Sequence, residues 1–373
     1  MKRILLPAAV LFAMICVCGC SELASDSDAE HWSAPVGSGD VVSSVIVYKK
    51  AGRFCGWPAN NGVWNWGNEI LVGFTLGYFL EPDPNVDATE HHFDRSKGTE
   101  VVMARSKNGG RSWTLERHAN LDKKLVPVAC PGGIDFSHPG FAMRISNGRF
   151  NVSFDRGRSW SVPYKMPSVG PSSGGQTDYI VNGPSDCMFF QKDSSRPYCA
   201  RTLDGGKTIH FVSWMTPKPL GYTIMPSTIR ISENQLVSAI RQSRGEPFRG
   251  WIDIFGSNDN GENWEFLSKC AFTDNRDWNG NPPSMVRLLN GRLCVTYGYR
   301  WVPFGIRAKI SNDNGKTWSD EIVLRQDGLN WDLGYARTIA RADGKVVTMY
   351  YFATAENPEH HIAATIWDPD KIK

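Results

Sequence analysis

Short runs of alternating apolar and polar residues recur along this chain. Segments 44–47, 70–74, 101–104, 150–154, 235–241, 292–297 and 345–351 carry a period of two. That period places every second side chain on one face, as in β-strands resting on a core. Several of the runs follow a tight-turn tripeptide: Asn147-Gly148-Arg149, Asn290-Gly291-Arg292 and Asp343-Gly344-Lys345. Asn-Gly and Asp-Gly supply the positive-φ positions that short hairpins require. No long segment carries the helical period, so the pattern predicts an all-β chain of short antiparallel strands.

A second period lies above the first. The strings SKNGGRSW (106–113), SFDRGRSW (153–160), TLDGGKTI (202–209), SNDNGENW (257–264) and SNDNGKTW (311–318) fit one pattern, S/T-x-D/N-x-G-x-x-W, with Ile209 replacing Trp in the third. Their starts are 47, 49, 55 and 54 residues apart. A carboxylate or amide can accept backbone N–H groups across a tight turn, Gly takes the positive-φ position, and Trp covers the corner. Asp155, Asp204, Asp259 and Asp313 are therefore expected to be structural, since one site does not need an acid from every repeat. About 50 residues accommodate four strands with their turns. The 338 residues from 36 to 373 accommodate six such units. Radial repetition of four-stranded sheets is a β-propeller, and the spacing predicts six antiparallel four-stranded blades.

Composition agrees. The 36 Gly and 22 Pro suit many turns, and the formal charge of +3, from 41 basic and 38 acidic residues, is not gathered in a basic run. Nucleic acid is not an expected partner. At the N-terminus, Lys2 and Arg3 precede an apolar run from Ile4 to Val17 that ends in Val17-Cys18-Gly19-Cys20. This has the charge and length of a secretory signal, and its end resembles a bacterial lipobox with Cys20 as the lipidated residue. The alternative is a plain signal peptide with incidental cysteines. The expected organisation is a lipoprotein signal over 1–20, a polar tether over 21–35 and one propeller over 36–373. The expected product is a monomer exported to the bacterial cell envelope, anchored to the outer membrane by lipid, or else periplasmic or secreted. Six cysteines remain, at 55, 130, 187, 199, 270 and 294. Cys187 and Cys199 bracket a hairpin and either pair across it or stay as buried thiols. No CxxC pair or His/Cys cluster has metal-ligand spacing, and no cofactor is expected.

The repeat resembles the Asp box, or BNR repeat, of bacterial sialidases, and the resemblance runs from about residue 40 to 369. Longer segments are similar to an exo-α-sialidase-like subgroup: 58–74, 91–98, 134–144, 176–181, 224–230, 281–308 and 332–352. The resemblance implies a sialidase-like glycoside hydrolase, exo-acting, with a glycan substrate from which it removes a terminal sugar, acidic sugars among the candidates. A non-catalytic glycan-binding propeller is the alternative, and a protein-binding propeller a third reading.

It also implies site residues. Sialidases hold a substrate carboxylate with arginines, whose planar fork matches it, and use a Tyr nucleophile with an Asp acid/base. Tyr335 falls where the nucleophile lies and Asp94 where the acid/base lies. Arg241, Arg300 and Arg337 fall where the anion would be held. Gly56-Trp57-Pro58 stands where sialidases carry Arg-Ile-Pro, so the first arginine would have to come from Arg53 or Arg95. Met225-Pro226-Ser227-Thr228 stands where an activating Glu belongs, leaving Glu69 or Asp332 for that role. His91, His138 and Asp178 are candidates to line the site, against packed or exposed histidines and a strand-end cap. Asn60 and Trp66 are candidates to bond and stack on a sugar, against blade packing.

Overall fold

The computed structural model describes residues 31–32, 41–81, 83, 91–166, 173–174, 176–219, 221–244, 249–274 and 280–371. The signal segment with Cys20, and the tether apart from His31–Trp32, lie outside them. Six antiparallel sheets follow one another along the chain and form a six-bladed β-propeller.

The first blade sets Arg53–Gly56 and Val63–Trp66 against Glu69–Tyr78, followed by Glu100–Ser106 and Thr114–Arg117. The second holds three strands, Ala142–Ser146, Arg149–Ser153 and Tyr164–Lys165. Among the described residues its innermost place is filled by side chains instead of a strand. The Ile145 N–H donates to Thr177 Oγ1 (3.0 Å) and the Met143 N–H to Tyr179 Oη (3.3 Å), so the strand edge facing the axis is satisfied. The third blade is Tyr179–Val181, Cys187–Asp193, Arg196–Thr202 and His210–Trp214, with Ser173–Gly174 also on its second strand. The fourth is Tyr222–Arg230, Leu236–Arg244, Arg249–Ser257 and Glu265–Asp274, and the fifth Ser284–Arg287, Leu293–Tyr299, Gly305–Ser311 and Ile322–Arg325. The sixth, Gly334–Ala340, Val346–Phe352 and His361–Trp367, takes its outer strand from the other end of the chain. There Val41–Tyr48 pairs with His361–Trp367, Val45 opposite Ala364 and Ile46 opposite Ala363. This pairing closes the ring.

The alternation read from the sequence is blurred where strands are covered on both faces. Every residue of Val346–Phe352 and of His361–Trp367 is buried. A middle strand is flanked by the neighbouring blades, so both faces of it need apolar cover. Each Val, Ile or Phe so buried contributes about 1.5–3 kcal/mol.

The five repeated strings form the expected turn. In each, the first hydroxyl accepts the N–H of the central glycine, from Gly110, Gly157, Gly206, Gly261 and Gly315 at 2.8–3.0 Å. The Asp or Asn then accepts the N–H four residues on, at Ser112, Ser159, Thr208, Asn263 and Thr317, all at 2.9 Å. These carboxylates are structural. The six cysteines are free thiols. Cys187 lies opposite Thr202 and Cys199 opposite Phe190, so the register of their hairpin keeps them apart.

Candidate active site

Several of the innermost segments divide their side chains between two cavities on the propeller axis, while Ser284–Arg287 contributes only to the second. Along Tyr222–Arg230, Tyr222, Ile224 and Met225 face one cavity, while Ser227 and Thr228 face another. Along Gly334–Ala340, Tyr335 faces the first, and Arg337 and Thr338 the second. Asn60 and Asn61 separate in the same way from Val63–Trp66, as does Gln176 from Thr177–Tyr179. The first cavity, the mouth, has a volume of about 840 Å³, and the second, the base, about 330 Å³.

Tyr335 reaches the mouth because its strand is deformed there. It has φ +47°, after Gly334 at φ +99°, and the register against Val346–Phe352 shifts between Gly334 and Arg337. A bulge of this kind re-aims one side chain at a local cost of order 1–3 kcal/mol. Asn281 holds the bulge. Its Oδ1 accepts the Tyr335 N–H at 2.9 Å and its Nδ2 donates to the Leu333 carbonyl at 2.8 Å. A Cβ on Gly334 would come within 2.5 Å of Asn281 Oδ1. Met225, on the facing wall, has φ +56° beside a second register shift. Two strained positions thus converge on the mouth.

Cations surround the Tyr335 ring. Arg241 Nη1 donates to its hydroxyl oxygen at 3.1 Å. The guanidinium carbons of Arg241 and Arg300 each lie 5.6 Å from the ring centroid. Burial presses the phenol pKa upward, but Arg241 and Arg300 outweigh it, leaving the group below its ordinary value. Arg144 enters the mouth from the second blade, its Nε and Nη2 both donating to Asn61 Oδ1 at 3.1 and 2.8 Å. Burial brings its pKa down to about 10, so it remains charged at neutral pH. Lys192, Lys123, Lys124 and Arg117 complete the basic lining, against two carboxylates, Glu100 and Asp122. A wall with this balance attracts an anion.

Behind Tyr335 lies a buried carboxylate. Asp332 Oδ1 accepts from the Tyr351 hydroxyl at 2.6 Å and lies 2.5 Å from His91 Nδ1, while Oδ2 accepts the His92 N–H at 3.0 Å. Burial favours its protonated form, but His360, His91 and His92 outweigh that and keep it well below the usual range. Arg300 Nη2 donates to the Tyr351 hydroxyl (3.1 Å) and to the Leu333 carbonyl (3.3 Å). A chain of polar contacts therefore runs from Asp332 through Tyr351 and Arg300 to the Tyr335 ring. His92, Asp332 and His360 offer ligand atoms within 4.8 Å of one another, the grouping among the described residues best suited to a cation. His360 Nε2 lies 2.7 Å from the Asp332 carbonyl. It must carry its hydrogen there, which leaves His360 Nδ1, buried without a hydrogen-bond partner like His92 Nδ1, with a free lone pair.

The structure brings together some of the residues expected from sequence and separates others. Tyr335, Arg241 and Asn60 line the mouth. Arg300 is buried directly behind Tyr335 and lines neither cavity. Arg337, Asp178 and Trp66 line the base cavity instead, because successive inner-strand residues step down the axis. Asp94 does not line the mouth: its Oδ1 accepts the backbone N–H and hydroxyl of Ser96 (3.0 and 2.6 Å), and Lys97 lies 3.2 Å from Oδ2. Arg95 is exposed on the same turn. His91 is spent on Asp332, and the exposed His138 accepts the Gly140 N–H within its own turn, 3.1 Å away. Arg53 lies on Tyr78 beside Glu100. Glu69 binds Arg105, Arg156 and Arg158 between the first two blades. Neither substitutes at the mouth.

Arg144, Gln176, Lys192 and Tyr222 line the mouth without having been singled out. Arg144 ends the segment 134–144, so its resemblance segment carried a signal; Lys192, next to the end of Cys187–Asp193, carried none.

No protein-family model matches the chain, and no curated protein matches it. Solved structures do. A protein of unknown function from Dyadobacter fermentans is similar at 20% identity with a TM-score of 0.64, over 87% of this chain and 98% of that one. The NanB sialidase from Streptococcus pneumoniae is similar at 10% identity with a TM-score of 0.58, over 88% and 71%. An α-L-arabinanase from Penicillium chrysogenum, complexed with arabinobiose, is similar at 12% identity with a TM-score of 0.57, over 91% and 100%. At these identities the likeness establishes the architecture, which this chain shares with a sialidase and an arabinanase alike.

Proposed function

We propose that this chain is an exo-acting glycoside hydrolase that removes a terminal acidic sugar from a glycan, working at the mouth cavity. The observation that carries this reading is the Arg241–Tyr335 contact at 3.1 Å in a mainly basic cavity about the size of a sugar-binding pocket. Arg241 and Arg144 hold the substrate carboxylate. Tyr335 is placed to attack, or to stabilise the positive charge that develops at the anomeric carbon. A hydrogen bond donated to the phenol oxygen favours its ionised form, and Arg300 behind the ring adds to this. Asp332 acts at one remove, keeping Tyr351 and through it Arg300 in place. Leaving-group protonation falls to a carboxyl of the wall, Glu100 or Asp122. In the living cell the enzyme is held at the envelope by a lipid on Cys20.

A second reading is glycan binding without turnover. It is favoured by Asp94, the expected acid, being tied to Ser96 and Lys97 outside the mouth. Incubation with sialyl-lactose and with oligosaccharides ending in uronic acids separates the two. Release of the terminal sugar by wild type and not by Tyr335→Phe supports hydrolysis. Binding with no release supports the second reading. Neither binding nor release would dismiss both.

A further inference from the structure

We propose that the base cavity is a second ligand site, which takes a neutral sugar ring through a pair of its hydroxyls. It lies further along the inner strands from Tyr335 and shares no lining residue with the mouth. Its volume of about 330 Å³ is at the lower end of small-ligand sites, enough for one pyranose.

Its polar groups are buried, and their bonding is incomplete. Arg337 is 6% exposed. Its Nη2 is committed to the carbonyls of Ala59 (2.7 Å) and Thr177 (2.8 Å), which fixes the guanidinium plane. Its Nε is buried without a partner, and Nη1 makes no hydrogen bond among the described residues. Asp178, 8% exposed, accepts the Thr228 N–H at 3.2 and 3.4 Å, with the Thr228 side chain beside it as its other neighbour on that residue. Buried donors and acceptors left short of partners are costly, and a ligand that supplies the partners recovers that cost. Arg337 offers donors and Asp178 acceptors. A hydroxyl does both, so two neighbouring hydroxyls can use the pair together. Trp66, half-buried at the end of Val63–Trp66, adds a flat apolar face, and the exposed Asn65 beside it an amide. Charge argues for a neutral ligand, because one cation and one carboxyl share this wall, unlike the basic mouth. A sugar face stacks on an aromatic ring while its hydroxyls bond to the polar set.

The test uses saturation-transfer NMR on the whole protein with the methyl glycosides of galactose, glucose and mannose as probes. The expected result is transfer to at least one of them. It should persist in Arg241→Ala, a mouth variant, and weaken roughly tenfold in affinity in Asp178→Asn and in Trp66→Ala. Asn65→Ala, at an exposed position, keeps the test open if either of those fails to fold. No transfer with any of the three probes would overturn the proposal. So would transfer that Arg241→Ala abolishes and the base variants leave intact. Because the probes are neutral, failure here leaves the anionic reading of the mouth standing, and failure of that reading leaves this one.

Discussion

Arg241 donates to the hydroxyl oxygen of Tyr335 at 3.1 Å, and among the described residues no carboxylate is bonded to that hydroxyl. The nearby acid, Asp332, is bonded to Tyr351 instead. Tyr335 is thus set among cations, with no base in direct contact.

The first consequence concerns its titration. A free phenol ionises near pH 10, and Tyr335 should ionise below that. In Arg241→Ala the ionisation should move upward, since burial then acts with less opposition. The ultraviolet difference signal of tyrosinate, wild type minus Tyr335→Phe, followed against pH in both backgrounds, measures this. An unchanged midpoint would show that Arg241 does not set the phenol's acidity.

The ring of blades was legible because its corners are local. Ser106, Ser153, Thr202, Ser257 and Ser311 each cap their own turn within four residues, and a local device leaves a local motif. The site was legible only in part. Tyr335 and Arg241 could be placed by resemblance, but Arg337 follows Tyr335 by two residues and still faces the opposite cavity. The strand steps down the axis from one cavity to the other, and the bulge between Gly334 and Arg337 that re-aims Tyr335 has no reliable sequence signature. Arg144 was hidden because the second blade shows no inner strand among the described residues, which lets a side chain of Ala142–Ser146 reach the axis.

Gly334→Ala tests the bulge. The new Cβ would meet Asn281 and occupy a φ that L-residues avoid, at a cost of about 1–3 kcal/mol. Turnover should fall further than melting temperature alone explains, because Tyr335 is displaced. Asn281→Ala should lower turnover in the same way without adding bulk. Both are checked by kcat together with thermal melting. Full activity in both would show that the bulge does not position Tyr335.

Two buried groups give opposing pH dependences. Burial raises the Asp178 carboxyl to about 7 against the pull of Arg337 and Thr228. The folded state then binds the extra proton, so this contribution to stability falls as pH rises from about 4 to 7. Burial lowers His361 to about 3. There the unfolded state binds the extra proton, so stability falls as pH drops from about 6.5 towards 3. Asp178→Asn should therefore gain on wild type as pH rises towards 8, and His361→Gln should gain on wild type as pH falls towards 4. Melting curves of each variant against wild type across this range separate the two.

Gly261→Ala probes the repeated corner. Gly261 has φ +88°, and a Cβ there would lie 2.8 Å from Met188 Cε. A loss of about 1–3 kcal/mol is expected in chemical denaturation. Binding at the distant mouth should be unaffected once the protein is folded.

The most direct test is a crystal structure of the protein soaked with an acidic monosaccharide, either N-acetylneuraminic acid or glucuronic acid. The sugar carboxylate should lie within hydrogen-bond reach of Arg241 and Arg144, with the anomeric carbon facing the Tyr335 hydroxyl. A sugar bound with its carboxylate turned away from both arginines, or an empty mouth at saturating sugar, would contradict the account.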